Sequence, residues 1–144
     1  MTRHHLLGPE VAGELGPGTV MDTTVHPPVV SALEYVISDW LGDDLLECFP
    51  CHLASDRLAD AIELSGLTGY RIDQVRVTLS PQAEEALEGT PLPAFRWLIA
   101  IGVAGVDDFG ATAKGEIVVS DDALNLLRSF TIQNCDVTGY TTIG

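Results

Sequence analysis

Basic residues are scarce in this chain of 144 residues: seven Lys and Arg stand against twenty-one Asp and Glu, giving a formal net charge of −14. A surface of that sign repels phosphate backbones and anionic lipids, which argues against nucleic acid and membrane surfaces as partners. It attracts a basic protein or a cation. Aromatic residues are also few, at 6%, so the core must be assembled from Leu, Val, Ile and Ala. No apolar run reaches the length of a membrane span. The longest, Trp97 to Val106, contains two glycines and reads as a buried strand and turn. Met1 to Val20 lacks the continuous apolar stretch of an export signal. With three cysteines and no such signal, the expectation is reduced thiols in a cytoplasm.

What is present suffices for a core. Hydrophobic residues make up 46% of the chain, and its length is that of one domain. Residues 1–28 carry Gly8-Pro9, Gly13, Gly16-Pro17-Gly18 and His26-Pro27-Pro28, and read as an irregular arm with one short strand around Thr19 to Val25. Residues 29–144 form the core. Strands are expected at Leu33 to Leu41, Leu45 to Ala54, Tyr70 to Leu79, Phe95 to Val103, Glu116 to Val119 and Phe130 to Val137. The apolar alternation changes phase within Tyr70 to Leu79, which predicts a bulge near Asp73-Gln74. Phe95 to Val103 is the most continuously apolar segment and belongs in the middle of a sheet.

Helices are expected after Ser55, Ser80 and Ser120, each a serine able to accept from orphan N–H groups of a first helical turn. Leu58, Ala61 and Ile62 share one face of the first helix, and Gly66 stops it. The order extended segment, Ser-Asp cap, helix, strand occurs twice, at Leu53 to Val77 and at Ile117 to Val137. The fold class is α+β, a mixed and mainly antiparallel sheet of about five or six strands with two or three helices on one face.

Cys48-Phe49-Pro50-Cys51-His52 is the sharpest local pattern. It spells CxxCH, the haem-attachment motif, for which His26 or Met21 would be the second axial ligand. It also spells a thioredoxin-like CxPC, but that chemistry needs the first thiol at a helix N-terminus, and here the cap comes later at Ser55. A zinc site would use Cys48, Cys51 and His52 with Cys135, His4, His5 or His26 as fourth ligand, and no second paired motif supplies it. The preferred reading is small buried strand residues, with no metal and no cofactor.

Carboxylates are paired at Asp43-Asp44, Asp107-Asp108 and Asp121-Asp122. Adjacent acids in turns do not create the separated carboxylates of acid–base chemistry. Asp121 and Asp122 fit a helix N-terminus, where the dipole favours negative charge. Neither a G-x-S-x-G elbow nor HExxH spacing is present, so no catalytic residue is assigned.

Several phrases together resemble small acidic immunity proteins of bacterial polymorphic toxins, with some likeness to double-CxxCG-type families. They are Pro50-Cys51-His52-Leu53-Ala54-Ser55, Gly66-Leu67-Thr68-Gly69-Tyr70, Asp107-Asp108-Phe109, and Ile117-Val118-Val119-Ser120-Asp121. The chain departs from the double-CxxCG pattern in having one CxxC and no glycine after it. The resemblance implies occlusion of a basic toxin domain, with Asp43, Asp44, Asp107 and Asp108 supplying charge and Trp40 or Phe109 acting as anchors. Two rivals remain. A small cofactor-independent isomerase or cyclase would need Glu34, Asp39, His26 or His52 in an apolar pocket. A scaffold subunit would expose a large apolar patch.

Overall fold

A computed structural model describes residues 3–141. Along them run strands β1 (His4–Gly8), β2 (Gly13–Leu15), β3 (Val20–Asp22), β4 (Val29–Ala32), β5 (Glu34–Ile37), β6 (Leu45–Cys48) and β7 (Cys51–Ser55), then helix α1 (Asp56–Ser65). After it come β8 (Tyr70–Asp73), β9 (Arg76–Leu79), α2 (Pro81–Ala86), β10 (Phe95–Ala100), β11 (Gly102–Val103), β12 (Phe109–Ala111), β13 (Ile117–Ser120), α3 (Asp121–Arg128) and β14 (Asp136–Tyr140). The class is α+β with mixed, mostly antiparallel pairing. Strands exceed the expected number and divide among four sheets, ordered β11-β12-β13-β1-β14, β6-β7-β10-β8, β2-β5-β9 and β3-β4.

Period-two alternation explains how the sheets stack. In the β6-β7-β10-β8 sheet, Leu45, Ala54 and Leu98 point to one side, into a core shared with α1, α3 and the five-stranded sheet. Leu46, Leu53 and Trp97 point to the other, into a core shared with β5 and α2. One sheet is therefore buried on both faces, and β10 lies between β7 and β8 inside it, as its apolar run requires. Two helices serve one core and the third serves the other.

All three serine caps form. Ser55, Ser80 and Ser120 accept from the N–H groups of Leu58, Ala83 and Ala123. Helix α1 buries Leu58, Ala59 and Ile62, and ends at Gly66 with φ +76°, a left-handed conformation that glycine adopts without strain.

Three expectations change. The N-terminal segment is no irregular arm: β1 pairs with β13 on one side and β14 on the other. The phase change within Tyr70 to Leu79 is a change of sheet, since β8 pairs with β10 whereas β9 runs parallel to β5. The last strand begins at Asp136, because the preceding N–H groups of Thr131, Gln133 and Asn134 are bound by carboxylates of Asp44 and Asp43.

The twice-occurring order is a structural repeat. Hairpin β6-β7 with α1 and β8 corresponds to hairpin β12-β13 with α3 and β14. The gap between β7 and β8 is filled by β10, and the gap between β13 and β14 by β1. Phe95 opposes the cap Ser55, and His4 opposes the cap Ser120. Asp56, first in α1, receives Arg96 Nε at 3.1 Å; Asp121, first in α3, contacts His5 Nε2 at 2.7 Å.

The two halves are also clamped to one another. Asp44 accepts from Ser55 Oγ (2.5 Å) and from the N–H of Thr131 (2.9 Å), just beyond α3. Asp108 accepts from Ser120 Oγ (2.6 Å) and from the N–H of Thr68 (3.0 Å), just beyond α1. Gly69 beside that second clamp has φ +88°, and a Cβ there would come within 2.1 Å of the Phe109 carbonyl oxygen. Asp44→Ala removes the acceptor for Ser55, Arg57 and Thr131 together. It should cost about 2–3 kcal/mol of unfolding free energy, measured by urea denaturation, with a lowered midpoint and an unchanged slope.

Candidate functional site

The residues singled out as partner contacts mostly turn inward. Asp43 is fully buried and accepts from the N–H groups of Gln133 (3.1 Å) and Asn134 (2.8 Å) and from Asn134 Nδ2 (3.1 Å). Asp44 is 3% exposed and holds Arg57 through Nε (2.9 Å) and Nη2 (2.7 Å). Phe109 is fully buried, edge-on to Tyr70 with ring centroids 5.8 Å apart. These three positions cannot offer contact surface, because their atoms are already covered by the protein's own. Asp107 is half-buried and receives the Val103 N–H at 2.7 Å. Trp40, also half-buried, donates Nε1–H to the Asp43 carbonyl at 2.9 Å and stands edge-on to Phe95. Asp43, Asp44, Asp107 and Asp108 thus serve as acceptors for the chain's own loops.

That role sets their acidity. Burial opposes the charge on Asp44, yet hydrogen bonds from Arg57, Ser55 and Thr131 prevail and hold its carboxyl below the ordinary carboxylate value. Asp108 is lowered in the same way: burial is overcome by Ser120 and Thr68. Glu10 runs the other way: burial raises its pKa even though the Leu41 and Asp43 N–H groups donate to it. A depressed folded pKa means the stabilisation from Asp44 and Asp108 is complete above the unfolded value of about 3.9. It is lost as pH falls through the lower folded values. Urea midpoints should therefore hold steady above about pH 5 and drop below about pH 4. Asp44→Asn and Asp108→Asn should start less stable at neutral pH and show a shallower acid limb.

The cysteine motif is a hairpin. Cys48 ends β6, Cys51 begins β7, and the two are opposed across the turn Phe49-Pro50, whose peptide bond is cis. Both are free and buried. Burial raises the Cys48 thiol, pushes Cys51 up to about 12 and pushes Cys135 up to about 11. Such thiols are protonated at neutral pH and are poor nucleophiles. The next rung of the hairpin places Glu47 opposite His52, with Glu47 Oε1 and His52 Nε2 3.1 Å apart. Among the described residues, no three His, Cys, Asp or Glu side chains converge to hold a metal ion. Iodoacetamide at neutral pH should label native protein slowly. Unfolding in guanidinium should speed modification of Cys51 by more than about a hundredfold, read by peptide mass mapping.

The residues named for acid–base work are dispersed. Glu34 is buried, accepts from the Gly18 N–H at 2.8 Å and pairs with Arg76 at 3.6 Å. Asp39 and His26 are exposed. His52 borders a cleft of about 260 Å³ at the turn end of the β6-β7 hairpin. The cleft is lined by Trp97, Ile99 and Arg71, by Pro27 to Val30, and by Ala111, Gly115 and Glu116 around the β12-β13 turn.

No family model and no curated protein matches the chain. The functional reading therefore rests on its own geometry. Two features escaped the sequence. One is the cleft, whose Arg71 and Glu116 carry no motif. The other is the pairing of the strand expected around Thr19 to Val25, present as β3, with β4 into an exposed ribbon, where Val20, Met21, Val25 and Val29 stand 41 to 59% exposed. Beside it lies Phe49, 48% exposed, its ring 6.2 Å from that of His26. The His52–Glu47 pair was within reach: a two-residue turn at Phe49-Pro50 puts positions 47 and 52 face to face. No helix among the described residues is long and apolar enough to cross a membrane.

Proposed function

We propose that the protein is a non-catalytic acidic binding protein that captures a basic protein partner, as immunity proteins of polymorphic toxins do. The observation that carries this reading is the charge left on the surface after folding. Of twenty-one acids, four (Glu10, Glu34, Asp43 and Asp44) are buried, so seventeen remain against seven bases. Three of those bases are engaged internally: Arg57 with Asp44, Arg76 with Glu34, and Arg96 with Asp56, Asp60 and Glu63. Glu84, Glu85 and Glu88, on and just after α2, are exposed, and none of them takes part in an ion pair among the described residues. A field of this kind accelerates encounter with a basic surface and makes it dependent on salt.

Charge alone gives fast association and short residence. The β3-β4 ribbon with Phe49 supplies apolar side chains of the kind that slow dissociation. It replaces Phe109 as the source of an anchor. Asp43, Asp44 and Asp108 accept hydrogen bonds from the chain's own loops, and burial raises the thiols, which supports a binding role over a catalytic one at those positions.

Affinity capture from the producing cell at low and at high ionic strength tests the reading. A basic protein should be retained in stoichiometric amount at low salt and should dissociate faster as salt rises. Met21→Glu and Val29→Glu should each raise its off-rate about tenfold while leaving the fold intact by circular dichroism. Recovery of no basic partner under either condition overturns the proposal.

A further inference from the structure

The cleft beside His52 concentrates features that folding does not explain. Arg71 lines it, is exposed, and forms no ion pair among the described residues, in a chain with three times as many acids as bases. Across the cleft, Glu116 Oε1 receives only Thr112 Oγ1, at 3.2 Å. The two opposite charges line one cavity and do not meet. His52 is 5% exposed; Nε2 is held by Glu47, and Nδ1 has no hydrogen-bond partner among the described residues. His52 opposes Leu98 whereas Arg71 opposes Ile99, so the imidazole lies on the other face of the sheet from Arg71, Trp97 and Ile99 and borders the cleft without supplying a ligand group to it. The lining of the cleft also includes the apolar side chains of Trp97, Ile99 and Val30.

We propose that this cleft binds a small zwitterion with an apolar side chain, that is, a free apolar α-amino acid. Arg71 takes the carboxylate through paired N–H donors. Glu116 receives the ammonium group, and the side chain lies against Trp97 and Ile99. Charge decides for a zwitterion over a simple anion. A monoanion approaches against the field of a protein of net charge −14 and meets Glu116 on arrival, whereas a zwitterion has no net charge and matches both groups. A simple amine leaves Arg71 unmatched. The volume, below that of drug-sized sites, limits the ligand to a single residue.

The proposal is independent of partner capture and is tested without the partner. L-Leucine, L-phenylalanine, L-leucinamide and N-acetyl-L-leucine are titrated into the purified full chain by calorimetry, with tryptophan fluorescence as a second readout because Trp97 lines the cleft. Leucine or phenylalanine should bind saturably, one per chain. Removing the carboxylate charge in leucinamide, or the ammonium charge by acetylation, should weaken binding about tenfold or more. Arg71→Gln should weaken leucine and abolish its advantage over leucinamide. Glu116→Gln should weaken leucine and leave acetylleucine unchanged. Both substituted groups are outside the two cores, and circular dichroism checks the fold. Absence of saturable binding at millimolar concentrations, or leucine binding indifferent to Arg71→Gln, overturns the assignment.

Discussion

The architecture depends on two carboxylates that each join a hairpin, a helix cap and the opposite half of the molecule. Asp44 holds Ser55, which caps α1, and the N–H of Thr131, which leaves α3. Asp108 holds Ser120, which caps α3, and the N–H of Thr68, which leaves α1. Burying a charge is costly unless its lone pairs are satisfied. Here each carboxylate receives at least three donors, and Asp44 gains a bidentate arginine. The geometry is reciprocal: neither half can move its helix exit without exposing the other half's acid. The interleaved strands reinforce the constraint, since β1 and β10 complete their sheets by filling corresponding gaps.

This arrangement changes the meaning of the acidic composition. Part of the charge is spent inside, where it orders loops that carry no regular backbone pairing. Asp43 does this for residues 133 and 134, Glu10 for Leu41 and Asp43. Arginines are drawn to specific acids, with Arg96 alone meeting three carboxylates on α1. The outer surface still carries a large negative excess, and that remainder is what a partner would encounter. Surface pairs such as those of Arg96 add little to stability on their own, so the excess is better understood through long-range attraction.

Local signals were legible in the sequence and non-local ones were not. Each serine cap, the glycine stop after α1 and the interior position of β10 follow from side-chain chemistry within a few residues. The division of Tyr70 to Leu79 between two sheets depends on β5, more than thirty residues upstream, so the phase change alone could not distinguish a sheet change from a bulge. The misplaced last strand has the same cause. Phe130 and Ile132 look like strand residues, yet the N–H groups of Thr131, Gln133 and Asn134 find Asp44 and Asp43, nearly ninety residues away in sequence. Acid pairs in Gly-rich turns look solvated for the same reason: their donors lie elsewhere in the chain. The pairing of β3 with β4 and the cleft had no periodic pattern to announce them.

The repeat also separates frame from function. Positions needed by the frame agree between the halves: an acid before each hairpin, a serine at each cap, a threonine after each helix. Positions bordering the cleft do not. His52 and Glu47 oppose one another in the first hairpin, and the equivalent rung of the second is Ile117 and Ala111. Arg71 opposes Ile99, and at the equivalent place Asp136 opposes Gly8. At the His52–Glu47 rung the second half builds the same hairpin with one aliphatic and one small residue, so the hairpin itself does not require polarity there; at the Arg71 position both halves carry a charge, of opposite sign. The imidazole at position 52 and the positive sign at position 71 are therefore not set by the frame the halves share, and both residues border the cleft.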